Sequence, residues 1–222
     1  MHWQIEEDDI SQFVVPERVV DLLFTIDCKS LPVDHAYALS TAVQQALPWF
    51  ADDDITAVHQ IHGAQSGNGW ERPEGEDDII YLSRRTKLVL RLPVERIDDA
   101  LALCGQELDV AGNPMKVLKG SKRLLEVTNS LYSRHVVAED GEDEDAFMLR
   151  TVAELRDMGL KFKKVLCGKE HTLHSPGRTL TTRSLLVADL SFDDAITLQE
   201  LGIGQKAYRK LGCGLFIPHK SV

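Results

Sequence analysis

Long hydrophobic runs are missing from this sequence. None approaches the ~20 apolar residues that a membrane-spanning helix needs, so no membrane association is expected. Paired cysteines are missing too: Cys28, Cys104, Cys167 and Cys213 stand far apart with no CxxC spacing. That excludes the usual signs of a disulfide framework or a zinc ribbon and favours reduced thiols. The opening residues, MHWQIEEDD, show neither the basic nor the apolar region of a signal peptide, and a cytoplasmic location is expected. Positive charge is scarce as well. With 25 Lys and Arg against 35 Asp and Glu, the net charge is −10, the wrong sign for a nucleic-acid protein taken as a whole.

The distribution of that charge changes the picture. Four runs, EEDD at 6–9, DDD at 52–54, ERPEGEDD at 71–78 and EDGEDED at 139–145, hold more net negative charge than the entire chain. They fall at an end, beside turns or at a linker, where solvated charge costs least. The remainder is mildly basic, with cations gathered in RRTKLVLR at 84–91, KVLKGSKR at 116–123 and KFKK at 161–164. Clusters of this kind are commonly no more than solvated faces, so charge alone decides nothing.

What is present is enough for a core. At 222 residues and 43% apolar composition the chain needs no metal or disulfide staple. Its apolar period switches between about two and about 3.6, the mark of mixed helices and strands. Strands are expected at 19–27, 55–61 and 86–92, and helices at 34–47 and 94–104. The segments QELDV and MKVLK, joined by AGNP, predict a hairpin. The second half repeats the order: a strand at 131–138, a helix at 145–158, the strands KFKKVLC and SLLVADL, a helix at 191–201 and a last strand, CGLFIPH. Ser191 with Asp194 three residues on is a capping pair for that last helix. Two βαββαβ units predict an α+β protein of tandem ferredoxin-like (RRM-like) domains, 1–127 and 128–222, the second ending in a glycine-rich loop. The fold names no function by itself.

Two features carry candidate chemistry. In the terminus, ELGIGQKAYRKLGCGLFIPHKSV, glycines 202, 204, 212 and 214 allow positive φ and close approach to a ligand. Exposed N–H groups there would form an anion-binding nest, with Lys206, Arg209, Lys210 and Lys220 adding charge and Tyr208 a face for a base. Equally, Gly202 could cap a helix while Gly212 and Gly214 shape a bulged edge strand. His35 begins the first helix on its inward stripe, four residues before Leu39. It is either a proton-transfer group at the rim of a groove or a histidine that merely packs. HQIH at 59–62 and HTLH at 171–174 have HxxH spacing, but residues three apart on a strand point to opposite faces, so no metal site is expected.

Together, the segments LPVDHAYALSTAVQQALPW, LSRRTKLVLRLP, LCGKEHTL and LGIGQKAYRKLGCGLFIPHKSV resemble the repeat-processing endoribonucleases of CRISPR systems, the Cas6 family of the RAMP superfamily, in its small Myxococcus-type branch. The resemblance runs from about residue 19 to the C-terminus. It implies cleavage of CRISPR repeat RNA in precursor crRNA with neither metal nor other cofactor, by 2′-OH attack leaving 5′-OH and 2′,3′-cyclic phosphate (or 3′-phosphate) ends. It also implies that the product stays bound, with other Cas proteins of a class 1 surveillance complex as partners. The family's usual catalytic histidine falls on His35, with His59 a weaker second acid or base. Tyr37, about 200° around the helix from His35, is expected to lie elsewhere. The candidate RNA-gripping residues are Arg84, Arg85, Arg183, Gly202, Gly204, Lys206, Arg209, Lys210, Gly212 and Gly214. A non-catalytic RNA-binding RAMP subunit and an anion-sensing ferredoxin-like oligomer are the alternatives.

Overall fold

The structure, a computed structural model, describes residues 13–62, 78–175 and 177–219. The acidic run at 6–9, most of that at 71–78, and Lys220 lie outside the described residues. The first sheet is built on β1, Val19–Asp27, in which Val20, Leu22, Phe24 and Ile26 alternate into the core. Around it stand β3 (Ala57–Val58), β5 (Lys87–Pro93), β6 (Glu107–Val110) and β7 (Asn113–Leu124), in the order β3-β5-β1-β7-β6 and antiparallel throughout. Helix α1, Ala36–Ala46, buries Leu39, Ala42 and Val43 against this sheet. Helix α2, Ile97–Leu101, follows a 3₁₀ turn at Val94–Arg96 and buries Ala100. A two-stranded ladder of β2 (Ser30–Pro32) and β4 (Ile79–Tyr81), with no counterpart among the expected elements, brings Leu31 and Ile80 into the same core.

The second sheet has the order β11-β8-β10-β9, from β8 (Ser130–Val137), β9 (Lys164–Ser175), β10 (Arg178–Ala188) and β11 (Ile217–Pro218). Helices α3 (Glu144–Asp157) and α4 (Phe192–Leu201) cover it through Phe147, Leu155, Ala195 and Leu198. Asp143 caps α3 by accepting the Ala146 N–H, and Ser191 caps α4 by accepting that of Asp194. Numbered within its own half, each sheet has the 4-1-3-2 strand order of a ferredoxin-like unit, the first with an extra hairpin strand. The fold is therefore the α+β tandem that the sequence predicts.

The chain departs from the expected elements in two places that bear on the site. The strand expected at 55–61 shrinks to Ala57–Val58, because the Asp53 carboxylate captures the N–H groups of Ile55 and Thr56 and because Ile61 turns away to His35. The β9–β10 hairpin is longer than expected. Its outer end, Leu173 paired with Leu180, reaches past the second core to pack with Ala36 and Cys213. That contact sets the second sheet against the start of α1. A second apolar contact, Val19, Leu125 and Ile196, joins the halves elsewhere.

Candidate functional site

Buried cations tie the two halves together. Arg91 on β5 donates to both carboxylate oxygens of Asp21, at 2.8 and 3.2 Å, and its Nη1 donates to the carbonyls of Gln199 (2.9 Å) and Phe216 (2.8 Å). His59 joins the group, its Nε2 donating to Asp21 Oδ1 at 3.3 Å. Burial pushes the His59 ring below its ordinary pKa, and the pull of Asp21 does not fully offset this. Burial also works against the Asp21 carboxylate, but Arg91 and His59 outweigh it and hold its pKa well below the usual carboxylate range. His59 is thus engaged with Asp21 in the buried cluster that joins the two halves.

The glycine-rich terminus closes on itself. The N–H of Gly202 donates to Leu198 O, that of Gly204 to Glu154 Oε1, that of Gly212 to Arg209 O and that of Gly214 to His135 O. With all four amides engaged inside the fold, the expected nest is not available to an anion. Gly202 and Gly214 serve another need. Both have positive φ, and a Cβ on Gly214 would stand 1.9 Å from Ile203 O, one on Gly202 2.2 Å from Gly214 O.

The cations of this segment are likewise internal. Arg209 is fully buried and donates to the carbonyls of Leu201, Ile55 and Glu200; burial lowers its pKa to about 10. Lys210 donates to Asp53 O, Thr56 O and Thr56 Oγ1, and burial lowers it to about 8. Arg209 is turned wholly inward, whereas Lys210 lines the groove described below with its Nζ held by these oxygens. Lys206 is exposed, with Nζ donating to Leu201 O at 3.1 Å. Arg84 and Arg85 are exposed in the turn between β4 and β5, and Arg183 on β10 is paired with Glu170 at 2.7 Å and Glu144 at 3.8 Å. The structure brings none of these three arginines to the terminal loop's groove.

His35 does sit beside the terminal segment, with its ring bonded to the main chain. It is 1% exposed, Nδ1–H donates to the carbonyls of Pro32 (2.9 Å) and Val33 (3.1 Å), and Nε2 accepts the Ile61 N–H at 3.1 Å. The ring pins the entry to α1 onto the chain leaving β3, and Gln60 next to it donates to Leu211 O at 2.8 Å. Both ring nitrogens serve the backbone.

A groove of about 560 Å³ does open here, on the other face of α1. Tyr37, 40% exposed, lines it with Ser40, Thr41 and Gln44 from α1. Arg178 and Leu180 enter from β10, and Tyr208 and Leu211 from the 3₁₀ turn Lys206–Leu211. The Arg178 guanidinium lies 5.7 Å from the centre of the Tyr208 ring. No aspartate or glutamate is among its described lining residues, whereas a second cavity of about 410 Å³ is lined by Asp27 and Glu107. Just before α1, Asp34 Oδ2 accepts both the backbone N–H (2.9 Å) and the ring Nδ1–H (2.6 Å) of His174. The two histidines of HTLH diverge as strand period requires, His171 stacking edge-on against His135 while His174 turns to Asp34.

Of the groove's residues, the sequence pattern singles out Tyr208 but not Tyr37 or Arg178. The polar residues of α1 read simply as its wet face, and nothing local marks a contact between residues 140 apart in sequence.

Comparison with known proteins points the same way. The family profile described as "Cas6 Crispr" matches residues 20–221. The chain is 29% identical over 199 residues to the "CRISPR-associated endonuclease Cas6" of Myxococcus xanthus (strain DK1622), covering 90% of this chain and 81% of that one. Among solved structures it resembles a "CRISPR associated protein Cas6" (TM-score 0.60, 14% identity, 91% of this chain and 99% of that one). It also resembles "An RAMP protein binding different RNA substrates" (TM-score 0.57, 17% identity, 90% and 97%). At these identities the structural likeness concerns the fold.

Proposed function

The chain belongs to the Cas6 family, and from that premise we propose that it is an endoribonuclease that cuts CRISPR repeats in precursor crRNA, with the groove along α1 as its RNA seat. The observation that carries this reading is the groove's chemistry. In a chain of net charge −10, it combines an arginine, two tyrosine faces and a row of hydroxyl and amide groups, without a carboxylate among its described lining residues. Tyr37 and Tyr208 offer faces on which unpaired bases stack. Ser40 and Gln44, joined by a 2.8 Å hydrogen bond, present donors and acceptors suited to 2′-hydroxyls, and Arg178 is placed to meet a phosphate.

RNA carries its own nucleophile. Attack of a 2′-oxygen on the adjacent phosphorus requires alignment, proton transfer and relief of charge on the phosphorane, and none of these calls for a cofactor. The products are a 2′,3′-cyclic phosphate and a 5′-OH, and a hairpin gripped along one face would remain bound after cutting, as a crRNA subunit of a class 1 surveillance complex does. The test is repeat RNA incubated with the protein in EDTA. Cleavage to those ends supports the enzyme, and tight binding without cleavage supports a non-catalytic crRNA-holding subunit instead. Arg178→Ala should weaken binding and lessen the slope of log K against log salt by about one. An unchanged slope would remove the groove from its role.

A further inference from the structure

We propose that the turn at 83–86 and the outer face of the β2–β4 ladder form a second RNA seat, outside the groove, which holds an unpaired stretch of the repeat by two phosphates and a stacked base. The inference rests on the reading of the chain as an RNA-cleaving protein and adds a second place where the strand is held. Unpaired cations are the first sign. Acidic residues outnumber Lys and Arg by 35 to 25. The exposed guanidiniums of Arg18, Arg96 and Arg123 accordingly meet carboxylates at 3.0, 2.8 and 2.9 Å. Arg84 and Arg85 do not. Both are exposed, and among the described residues no hydrogen bond or ion pair holds either guanidinium.

The turn that carries them is braced. The Thr86 N–H donates to Ser83 O at 3.0 Å, which closes four residues with the two arginines at the centre. Both flanking hydroxyls reinforce it: Ser83 Oγ accepts the Arg85 N–H at 3.2 Å, and Thr86 Oγ1 accepts that of Ser83 at 3.2 Å. A backbone held in this way loses little further freedom when a ligand arrives. Each guanidinium is a planar fork of donors matched to phosphate oxygens. The Leu82 N–H donates to Lys29 O at 2.9 Å, so a third exposed cation stands beside the turn.

The ladder supplies the rest. Leu31 and Ile80 pack in the core, so strand alternation turns Ser30, Pro32, Ile79 and Tyr81 to the other face. There Tyr81 is 78% exposed and Ile79 50%, a bare ring and a bare aliphatic chain two residues apart on one strand. A tyrosine face beside two unpaired guanidiniums suits an unpaired nucleotide, whose base stacks while its phosphates meet the charge. An acidic peptide would meet the arginines but brings no nucleobase to the ring. The ladder also leads directly into α1. Pro32, paired with Ile79, stands five residues before the groove-lining Tyr37. From Tyr37 through Pro32 and Ile79 to Arg84 the path is no longer than ~40 Å, within reach of one RNA chain that also occupies the groove.

The experiment measures binding of the full chain to repeat RNA across a series of salt concentrations. The double variant Arg84→Ala/Arg85→Ala should bind about tenfold or more weakly at ~0.1 M salt, and its slope of log K against log salt should lessen by about 1.4, two phosphates at ~0.7 each on a single strand. Arg84→Lys/Arg85→Lys, which keeps the charge, should retain most of that slope. Tyr81→Ala should weaken binding about fivefold or more, while Tyr81→Phe, which keeps the ring, should stay within about twofold of wild type. The arginine loss should add to that of Arg178→Ala, because the groove takes a different phosphate. As the RNA is shortened from each end in turn, the double alanine variant should come to bind like wild type at a length where Arg178→Ala still binds less well. An unchanged slope in the double alanine variant, or a deficit that persists to the shortest RNA bound, overturns this assignment alone. So does a double variant that keeps its RNA affinity but loses binding to polyglutamate, which would make an acidic protein segment the occupant. A wild-type protein that binds no repeat RNA overturns the functional reading, and this inference with it.

Discussion

Replacing Gly214 by alanine tests what the terminal glycines are for, and Gly204→Ala is its control. Both residues have positive φ, +64° and +80°, so each alanine should carry the ~1–2 kcal/mol penalty of a left-handed L-residue. They differ in surroundings. A Cβ on Gly204 meets nothing within 4 Å, while one on Gly214 lands 1.9 Å from Ile203 O, a main-chain atom that no rotamer change can move. Relief requires the segment to shift by more than an ångström. That would disturb the Gly214 N–H bond to His135 O (2.7 Å) and the Ile203 N–H bond to Gly214 O (3.2 Å). Each buried group left unpaired costs ~1–3 kcal/mol, so Gly214→Ala should lose about 4 kcal/mol or more. With a urea slope near ~3 kcal/mol/M, the midpoint should fall by about 1.3 M for Gly214→Ala and about 0.5 M for Gly204→Ala. Midpoints within about 0.3 M of each other would refute the claim that close backbone approach dictates glycine here. Wild-type stability in both variants, with RNA affinity lost from both, would instead favour glycines kept for a ligand.

His35→Ala should cost about 2–4 kcal/mol, since it leaves the Ile61 N–H and the Pro32 and Val33 carbonyls without the ring. Thermal unfolding reads this directly, and the surviving folded fraction should still cut repeat RNA, an activity whose loss would restore His35 to the chemistry. Stability should also fall as pH drops from 7.5 toward 5. The native His59 ring has a pKa below its ordinary 6.5, so below that pH the unfolded chain binds a proton the native state refuses. Asp21, lowered from 3.8, adds a further loss in the same direction below that value. Urea midpoints across this range, with His59→Gln as the comparison, check the sign; a flat or rising trend would contradict it.

Much of the architecture is legible in the sequence because it rests on local pattern. The stripe of Leu39, Ala42 and Val43, the alternation in β1 and the Ser191 cap all declare themselves within a few residues. The site is less legible because its members meet only through topology. Arg178 and Leu180 reach the groove along α1 because β9 and β10 run on past the second core, and nothing in HTLH announces that length. Lysines and arginines also mislead when counted as surface charge. Arg209 and Lys210 look like phosphate ligands in sequence, yet they face inward because the carbonyls of Ile55, Leu201, Asp53 and Thr56 are turned toward them. His35 does lie beside the terminal segment, as its position in the first helix suggests, but burial gives its nitrogens to the main chain, and Tyr37 faces the groove in its stead.

The joint between the halves has a consequence for how such a chain can change over time. Arg91 and Arg209 grip carbonyls of Gln199, Phe216, Ile55, Glu200 and Leu201, not their side chains. Every residue type offers a carbonyl, so the identities opposite these arginines can drift without loosening the grip. The requirement falls on the few cations themselves. A bond to the main chain thus fixes mutual orientation while leaving composition at liberty, and a shared two-sheet frame can outlast most of the letters that first encoded it.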